Sequence, residues 1–401
     1  MWMALKKILI FSQTMELGGA ETALLGLLEG INTDEYDIDL FLMHHEGELY
    51  RFIPKKINIL PESPQYSSLA VPLKTVLKKG QLGIAYGRYK GKKAARARVQ
   101  DLGLPEDNDV SLQFSHLYTL PYMPQINHKE YDLAVSFLTP HYFVAEKVSA
   151  KKKVAWIHTD YSKVSVDKET QLKMWDRYNY IVSISEQVTN SFLRVFPELK
   201  SKIIEIHNMI PMNYLNQKKD MFTAEREMPQ DGSIRLLSIG RFCTAKNFDN
   251  VPDICSRIRA KGLNVKWYLI GYGADEELIK ERIEEAGMQE YVIILGKKEN
   301  PYPYIKACDL YVQPSRYEGK CVSVIEAQIL NKPVVITDYV TSSSQLNNGV
   351  DGVIVPLDNQ KCAVGICNLL NDSKKMAELV INCKKTNYSN SEEIMKIYSL
   401  L

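Results

Sequence analysis

The sequence predicts an α/β protein built from two doubly wound parallel sheets, and three observations carry that prediction. Short apolar runs alternate with amphipathic segments along most of the 401 residues, which is the grammar of parallel strands covered by helices. The alternation stops in one polar, aperiodic stretch, "QKKDMFTAEREMPQDGS" at 217–233, and then begins afresh. A hydrophobic content of 45% over this length supplies more core than one domain uses. The expected organisation is a first domain over 1–208 with a basic insertion at 67–100, a second over 209–385, and a terminal helix over 386–401 that packs back on the first.

In chain order, "KILIF" is the first strand, followed by a glycine loop. "AETALLGLLEGI" then sets Ala20, Leu24, Leu27, Leu28 and Ile31 on one helical face. "YDIDLFLM" resumes as a strand and completes one βαβ unit. "YDLAVSFL", "VAWIHT", "YIVSIS" and "KIIEIHN" continue the series, and "IRLLSIGR", "VKWYLIG", "VIILG", "DLYVQP", "PVVIT" and "GVIVP" form a second one. Ligands of such sheets collect beyond the carboxyl ends of the strands. The residues to watch are therefore Gly18 and Gly19, His158, Arg241, Gly271 and Glu318, and two facing crevices would make one interdomain site.

Bulk composition excludes more than it proposes. Fifty basic against 48 acidic side chains leave a net charge of +2, so nothing global argues for nucleic acid. All seven cysteines lie at or after Cys243, without a C-x-x-C or a histidine cluster, so neither a disulfide framework nor a metal site is expected. Reduced thiols and a cytoplasmic location fit. The apolar run after Lys6 and Lys7 is too short for a signal-peptide core, and no uninterrupted stretch would span a bilayer.

Several local patterns point to chemistry. Gly18 and Gly19 stand at a strand-to-helix turn, where absent side chains let backbone amides approach an anion, although the pattern lacks the G-x-G-x-x-G of dinucleotide folds. Arg241 and Lys246 follow the first strand of the second half beside a helix opening, two fixed cations suited to a pyrophosphate. Glu318 precedes a helix that contains Glu326. Along a continuous helix they would lie roughly 12 Å apart, too far for the pair of acids that flank a glycosidic bond at about 5 to 9.5 Å. They read as two hydroxyl acceptors on one extended ligand.

These motifs, "GR" with "KN" soon after, "EGKCVSVIE", "KPVVIT" and "GVDGVIVP", make the second half resemble the retaining glycosyltransferases of family 4 and their GT-B fold, two Rossmann-like domains facing across a cleft. The likeness runs from about residue 235 to 357, and the first half matches more loosely through its Gly-Gly loop and "WIHT". The resemblance implies a nucleotide-sugar donor, with UDP-hexose expected, whose diphosphate is held by Arg241 and Lys246. Glu318 would meet the sugar and Glu326 the ribose. Backbone amides after Gly319, at Lys320, Cys321 and Val322, would face sugar and phosphate, and the loop after Gly296 would border the base. Many relatives carry an aromatic residue and a proline or glycine where this chain has Lys320 and Cys321, so the donor sugar is left open. No metal or other cofactor is implied. The wording is similar to transferases of bacterial surface polysaccharide, with a saccharide acceptor, free or lipid-linked. A catalytically silent sugar-nucleotide-binding subunit and a GT-B epimerase are the alternative readings.

His158 matches the family position that lines the cleft near the reacting sugar, and His141 in "LTPHYF" is a weaker candidate of the same kind. The D-x-D of Asp37 and Asp39 sits inside a strand, where alternation explains it without a metal. Residues 67–100 hold nine cations and no acid, interleaved with Leu, Tyr and Ile. Such a segment can lie on anionic lipid, which would make the protein peripheral on the inner face of the plasma membrane.

Overall fold

The computed structural model describes residues 5–104, 109–162, 164–318 and 320–401. The chain divides into two units, Met1–Pro211 with Asn390–Leu401, and Met212–Ser389. The first holds seven strands: β1 (Lys6–Ser12), β2 (Tyr36–Leu42), β3 (Asn58–Ile59), β4 (Glu130–Ser136), β5 (Ser149–Ile157), β6 (Tyr180–Ser183) and β7 (Ile203–Glu205). They form one parallel sheet in the order β3-β2-β1-β4-β5-β6-β7.

The second unit holds β8 (Ile234–Ile239), β9 (Val265–Ile270), β10 (Val292–Gly296), β11 (Leu310–Gln313), β12 (Val334–Thr337) and β13 (Val353–Val355). Their order, β10-β9-β8-β11-β12-β13, is again all parallel. Both sheets thus reverse direction once, between β1 and β4 and between β8 and β11, where doubly wound sheets open a crevice.

The strands are apolar on both faces because helices cover both. Ile8 to Phe11 of β1 and Val334 to Ile336 of β12 are fully buried, as expected for strands without a solvent face. Trp267 ties the second sheet internally: its indole N–H donates to Ser238 Oγ at 2.8 Å, and that hydroxyl donates to the Val312 carbonyl at 2.5 Å. In the first sheet Asp39 is buried on β2 and accepts from Tyr131 (2.6 Å), Lys129 (2.9 Å) and Asn58, tying β2 to β3 and, across β1, to β4. Asp39 of the D-x-D pattern is committed to that network.

The polar stretch 217–233 belongs to the second unit. Asn300 donates to the Lys218 carbonyl at 2.8 Å, and Glu227 receives Lys298 at 2.6 Å and the Tyr304 hydroxyl. The last residues, 390–401, belong to the first unit. Tyr398 stacks on Tyr36 with ring centres 4.5 Å apart and accepts the Asn32 amide at 2.8 Å, while His207 N donates to Glu393 at 2.9 Å.

The acid-free segment forms two helices, Leu73–Lys78 and Leu82–Leu102. One face of the longer helix is pressed on the Val110–Thr119 helix: a Cβ on Gly87 would lie 2.6 Å from the Tyr118 carbonyl, and one on Gly91 2.5 Å from that of Phe114. Glycine is required there by close approach, and the basic face is therefore turned outward. Two of the nine cations are structural. Arg88 donates to the carbonyls of Ser68 and Val71, and Arg98 pairs with Asp167 and Glu169.

Candidate functional site at the carboxyl ends of the second sheet

Gly240 follows β8, its amide donates to the Ile270 carbonyl at 3.0 Å, and the loops after β8 and β9 lie flat on each other. Gly271, at φ +155°, is what permits this: a Cβ there would fall 1.9 Å from the Gly240 carbonyl oxygen. The chain then turns through Thr244–Lys246 into Asn247, which adopts the left-handed φ of 60° and whose amide donates to the Pro314 carbonyl at 2.8 Å. Asn is among the few non-glycine residues that enter this conformation readily. Arg316, just beyond β11, closes the turn from the other side. Its guanidinium forks onto Asp249 at 2.8 and 2.6 Å, and its backbone amide reaches the Ala245 carbonyl.

Lys246 is fixed by that frame. Its stem lies over Gly240, where a Cβ would stand 3.0 Å from two of its carbons, and its ammonium meets Glu318 Oε1 at 2.5 Å. Burial pulls its pKa down, but the neighbouring Cys321 sulfur and the Glu318 carboxylate outweigh that and hold it above the ordinary lysine value. Glu318 also accepts the Ser315 hydroxyl at 2.6 Å, itself held by Gln313 at 2.9 Å, and the Glu318 carbonyl accepts Thr341 Oγ1 at 2.7 Å. Both members of the pair are mostly covered, with 17% and 11% of their side chains accessible. Arg241 is exposed at the same strand end and makes no ion pair among the described residues. The arrangement offers one free and one oriented cation to an anionic ligand.

Three expected contacts need comment. The Cys321 amide is a correction: it donates to Gln345 Oε1 at 2.7 Å, and Gln345 Nε2 returns a bond to the Cys321 carbonyl at 3.3 Å, so this amide is committed to holding the loop. Lys320 and Val322 remain exposed beside it, and Gly319 lies outside the described residues. Glu326, on the Val322–Ile329 helix, accepts the Tyr302 hydroxyl at 2.9 Å. Part of its surface is accessible, yet protein surrounds the carboxyl; burial pushes its pKa up to about 7, against the opposing Tyr302 bond. Glu318 and Glu326 thus have separate partners. Tyr302, from the segment after Gly296, and the clamps at Asn247, Arg316 and Gln345 escaped sequence reasoning; only the "KN" pair signalled any of them.

The remaining candidates lie in the first unit. Gly18 and Gly19 open the Gly19–Gly30 helix, but the chain's own Glu21 carboxylate stands there, 2.2 Å from where a Gly18 Cβ would be. His158 follows β5, with its ring 4.7 Å from Phe137 and bonded to the Phe137 backbone; burial lowers its pKa to about 4. His141 Nδ1 is 2.8 Å from Ser136 Oγ, and burial lowers it to about 3. Among the described residues no group of three or more His, Cys, Asp or Glu is placed to hold a metal, and no helix is long and apolar enough to cross a membrane.

Two Rossmann-like units of this strand order define the GT-B class, to which solved structures also relate the chain. The Anabaena HepE complex with UDP-glucose superposes with a TM-score of 0.62 at 17% identity, over 98% of this chain and 100% of that one. Residues 222–386 match the family model of the glycosyl transferases group 1. It is 28% identical over 141 residues to the N-acetylgalactosamine-N,N'-diacetylbacillosaminyl-diphospho-undecaprenol 4-alpha-N-acetylgalactosaminyltransferase of Campylobacter jejuni, covering 35% of this chain and 38% of the relative. It is 24% identical over 164 residues to the amylovoran biosynthesis glycosyltransferase AmsD of Erwinia amylovora, covering 41% and 44%. The chain spans less than half the length of these relatives.

Proposed function

We propose that this protein is a retaining glycosyltransferase that moves a hexose from a UDP-linked sugar to a lipid-linked saccharide during synthesis of surface polysaccharide, without a metal. The Lys246–Glu318 pair, fixed at the carboxyl end of β8 with Arg241 beside it, carries the reading. The family match supports transfer chemistry, and the Campylobacter relative's name, with its diphospho-undecaprenol, supports a lipid-linked acceptor. The UDP-glucose held by the Anabaena protein sets the first donor to try.

In this mechanism the anomeric C–O bond to the β-phosphate breaks and charge develops on the departing oxygen. Lys246 and Arg241 stabilise that charge, usually the largest single contribution in such catalysis. The acceptor hydroxyl bonds to the anomeric carbon on the same face, and its proton passes to the departing phosphate oxygen. Glu318 accepts a donor-sugar hydroxyl while it orients Lys246, and Glu326 accepts a ribose hydroxyl. His158, neutral at pH 7, orients the reacting region through its free lone pair. Release of UDP from a panel of UDP-sugars, with and without acceptor, tests the proposal: turnover that is unchanged in Lys246→Ala removes it, and conversion of the donor without acceptor points to an epimerase.

We also assign an anionic membrane surface to the outward face of 67–100. Lys74, Lys78, Lys79, Lys90, Lys92, Lys93 and Arg96 are exposed there. Among them stand Leu77, Leu82, Tyr86 and Tyr89, each about half exposed or more. Cations interleaved with amphipathic aromatics suit a headgroup layer.

A further inference from the structure

β12 lies next to β11 in the second sheet, and the loop that follows it is strapped to the segment carrying Glu318. Thr337 Oγ1 donates to the Ser315 carbonyl at 2.5 Å, and Thr341 Oγ1 donates to the Glu318 carbonyl at 2.7 Å. Between these two ties the chain turns Val340 wholly into solvent and Tyr339 inward, with only 4% of its surface accessible. The Tyr339 hydroxyl is covered by protein and has no partner among the described residues. Orphaned buried polar atoms are rare in folded proteins, because each has given up water without a replacement. This one stands where the Cys321 sulfur and the Glu318 carboxylate both act on it.

A second group beside it is also unspent. Glu318 Oε1 takes both the Lys246 ammonium at 2.5 Å and the Ser315 hydroxyl at 2.6 Å, whereas Oε2 accepts nothing among the described residues. A carboxylate oxygen can only accept. Burial raises the Tyr339 pKa, with Cys321 and Glu318 adding to the rise, so its hydroxyl keeps its proton at pH 7 and can donate. The two groups do not bond to each other, and the ties at Ser315 and Glu318, with the clamp between Cys321 and Gln345, hold both segments in place. A single ligand hydroxyl meets both needs, since it donates one proton and accepts another. A hydrogen in its place meets neither and leaves both groups shut away from water.

We infer that Tyr339 is a specificity-determining residue: together with Glu318 it reads one free hydroxyl of the donor sugar, and a donor lacking that hydroxyl is rejected. This rests on the proposed donor site at Lys246 and Glu318, and it adds a residue from a loop where no contact was expected. Sites that hydrogen-bond a substrate hydroxyl discriminate strongly against its absence, because their own buried groups are then left unpaired.

The test is calorimetric titration of the full-length protein and of Tyr339→Phe. The ligands are UDP, UDP-glucose, UDP-galactose and UDP-N-acetylglucosamine, and the analogues of the tightest-binding sugar nucleotide that lack one sugar hydroxyl each. UDP should bind both proteins equally. In the parent, one analogue should bind at least about tenfold more weakly than the complete donor. In Tyr339→Phe the complete donor should weaken about five- to tenfold while that analogue keeps its affinity, so that the discrimination nearly vanishes. The variant, freed of an orphan, should melt at or above the parental temperature. The assignment is overturned if the parent treats every analogue like the complete donor. It is overturned equally if Tyr339→Phe discriminates as the parent does, which would leave the hydroxyl to a bound water. A variant that loses UDP and all sugars alike and melts lower would make the tyrosine merely structural. Failure of the underlying reading looks different: if neither UDP nor any UDP-sugar binds the parent, the donor site falls and Tyr339 with it, whereas donors that bind with discrimination unmoved by the variant remove the Tyr339 role alone.

Discussion

Replacing Lys246 by Met leaves Glu318 largely buried with the Ser315 hydroxyl as its remaining side-chain partner. Removing one member of a buried pair costs about 3–5 kcal/mol. Because both groups keep some access to water and Ser315 still donates, we set the loss at about 2–3 kcal/mol. For a unit of this size that is a fall of about 4–12 °C in the melting temperature. Turnover should drop about 10²–10³-fold, the effect of removing one oriented charge from a developing anion. The double variant Lys246→Met/Glu318→Gln separates these effects. Gln no longer needs a counter-ion, so calorimetry should recover at least about 1 kcal/mol of stability, whereas UDP release stays at the low level of the single variant. A double variant no more stable than Lys246→Met would show that the pair is not coupled. A Lys246→Met protein with parental turnover would refute the role given to this ammonium.

Four further outcomes follow from particular groups. The Glu326 carboxyl titrates at about 7 in the folded protein against 4.5 otherwise, so between those values the folded chain holds a proton that the unfolded chain has released. Its contribution is therefore full below about pH 4.5 and lost as pH rises through 7, about 3 kcal/mol at most; Glu326→Gln should flatten melting temperature against pH in that window. His158, depressed to about 4 from 6.5 by burial, contributes stability above pH 6.5 that is lost as pH falls toward 4, and its ring proton resonances should not titrate between pH 5.5 and 8. Asp39→Ala strips Lys129, Tyr131 and Asn58 of their shared acceptor and should cost about 2–4 kcal/mol, discounted because Lys129 reaches solvent, while UDP-sugar affinity stays parental. Charge removal at Lys90, Lys92 and Lys93 should weaken binding to phosphatidylserine vesicles by about 1 kcal/mol each, and sedimentation that ignores anionic lipid content would end the membrane assignment.

The fold was legible because covered parallel strands advertise themselves as short apolar runs. β3, only Asn58–Ile59, is too short to leave such a mark. Arg241, Lys246, Glu318 and Glu326 could be found because each stands just beyond a strand or on the next helix, where local sequence already says that ligands gather. What holds them could not. Arg316 and Asp249 lie 67 residues apart, and Gln345 reaches Cys321 across 24; neither pair leaves a periodic trace. The same blindness made nine cations in 67–100 look alike, although Arg88 and Arg98 turn inward to backbone and carboxylate. It also hid the Cys321 amide's commitment to Gln345.

The two sheets share one strand order, yet the first loop beyond each switch point carries opposite charge. In the second unit the loop after β8 presents Arg241 and Lys246. In the first, the glycine turn after β1 is followed by Glu21, whose carboxylate bonds its own backbone amide and occupies the helix start. A helix N-terminus that already holds an anion repels a second one. Burial raises the Glu21 pKa, with Glu16 adding to the rise. On the proposed reading the pyrophosphate lies beside Arg241 and Lys246 and not at Gly18 and Gly19, so Glu21→Gln, which empties that helix start of charge, should leave UDP affinity unchanged. Tighter UDP binding in that variant would mean that the first unit competes for phosphate after all, and the division of labour between the two sheets would fail.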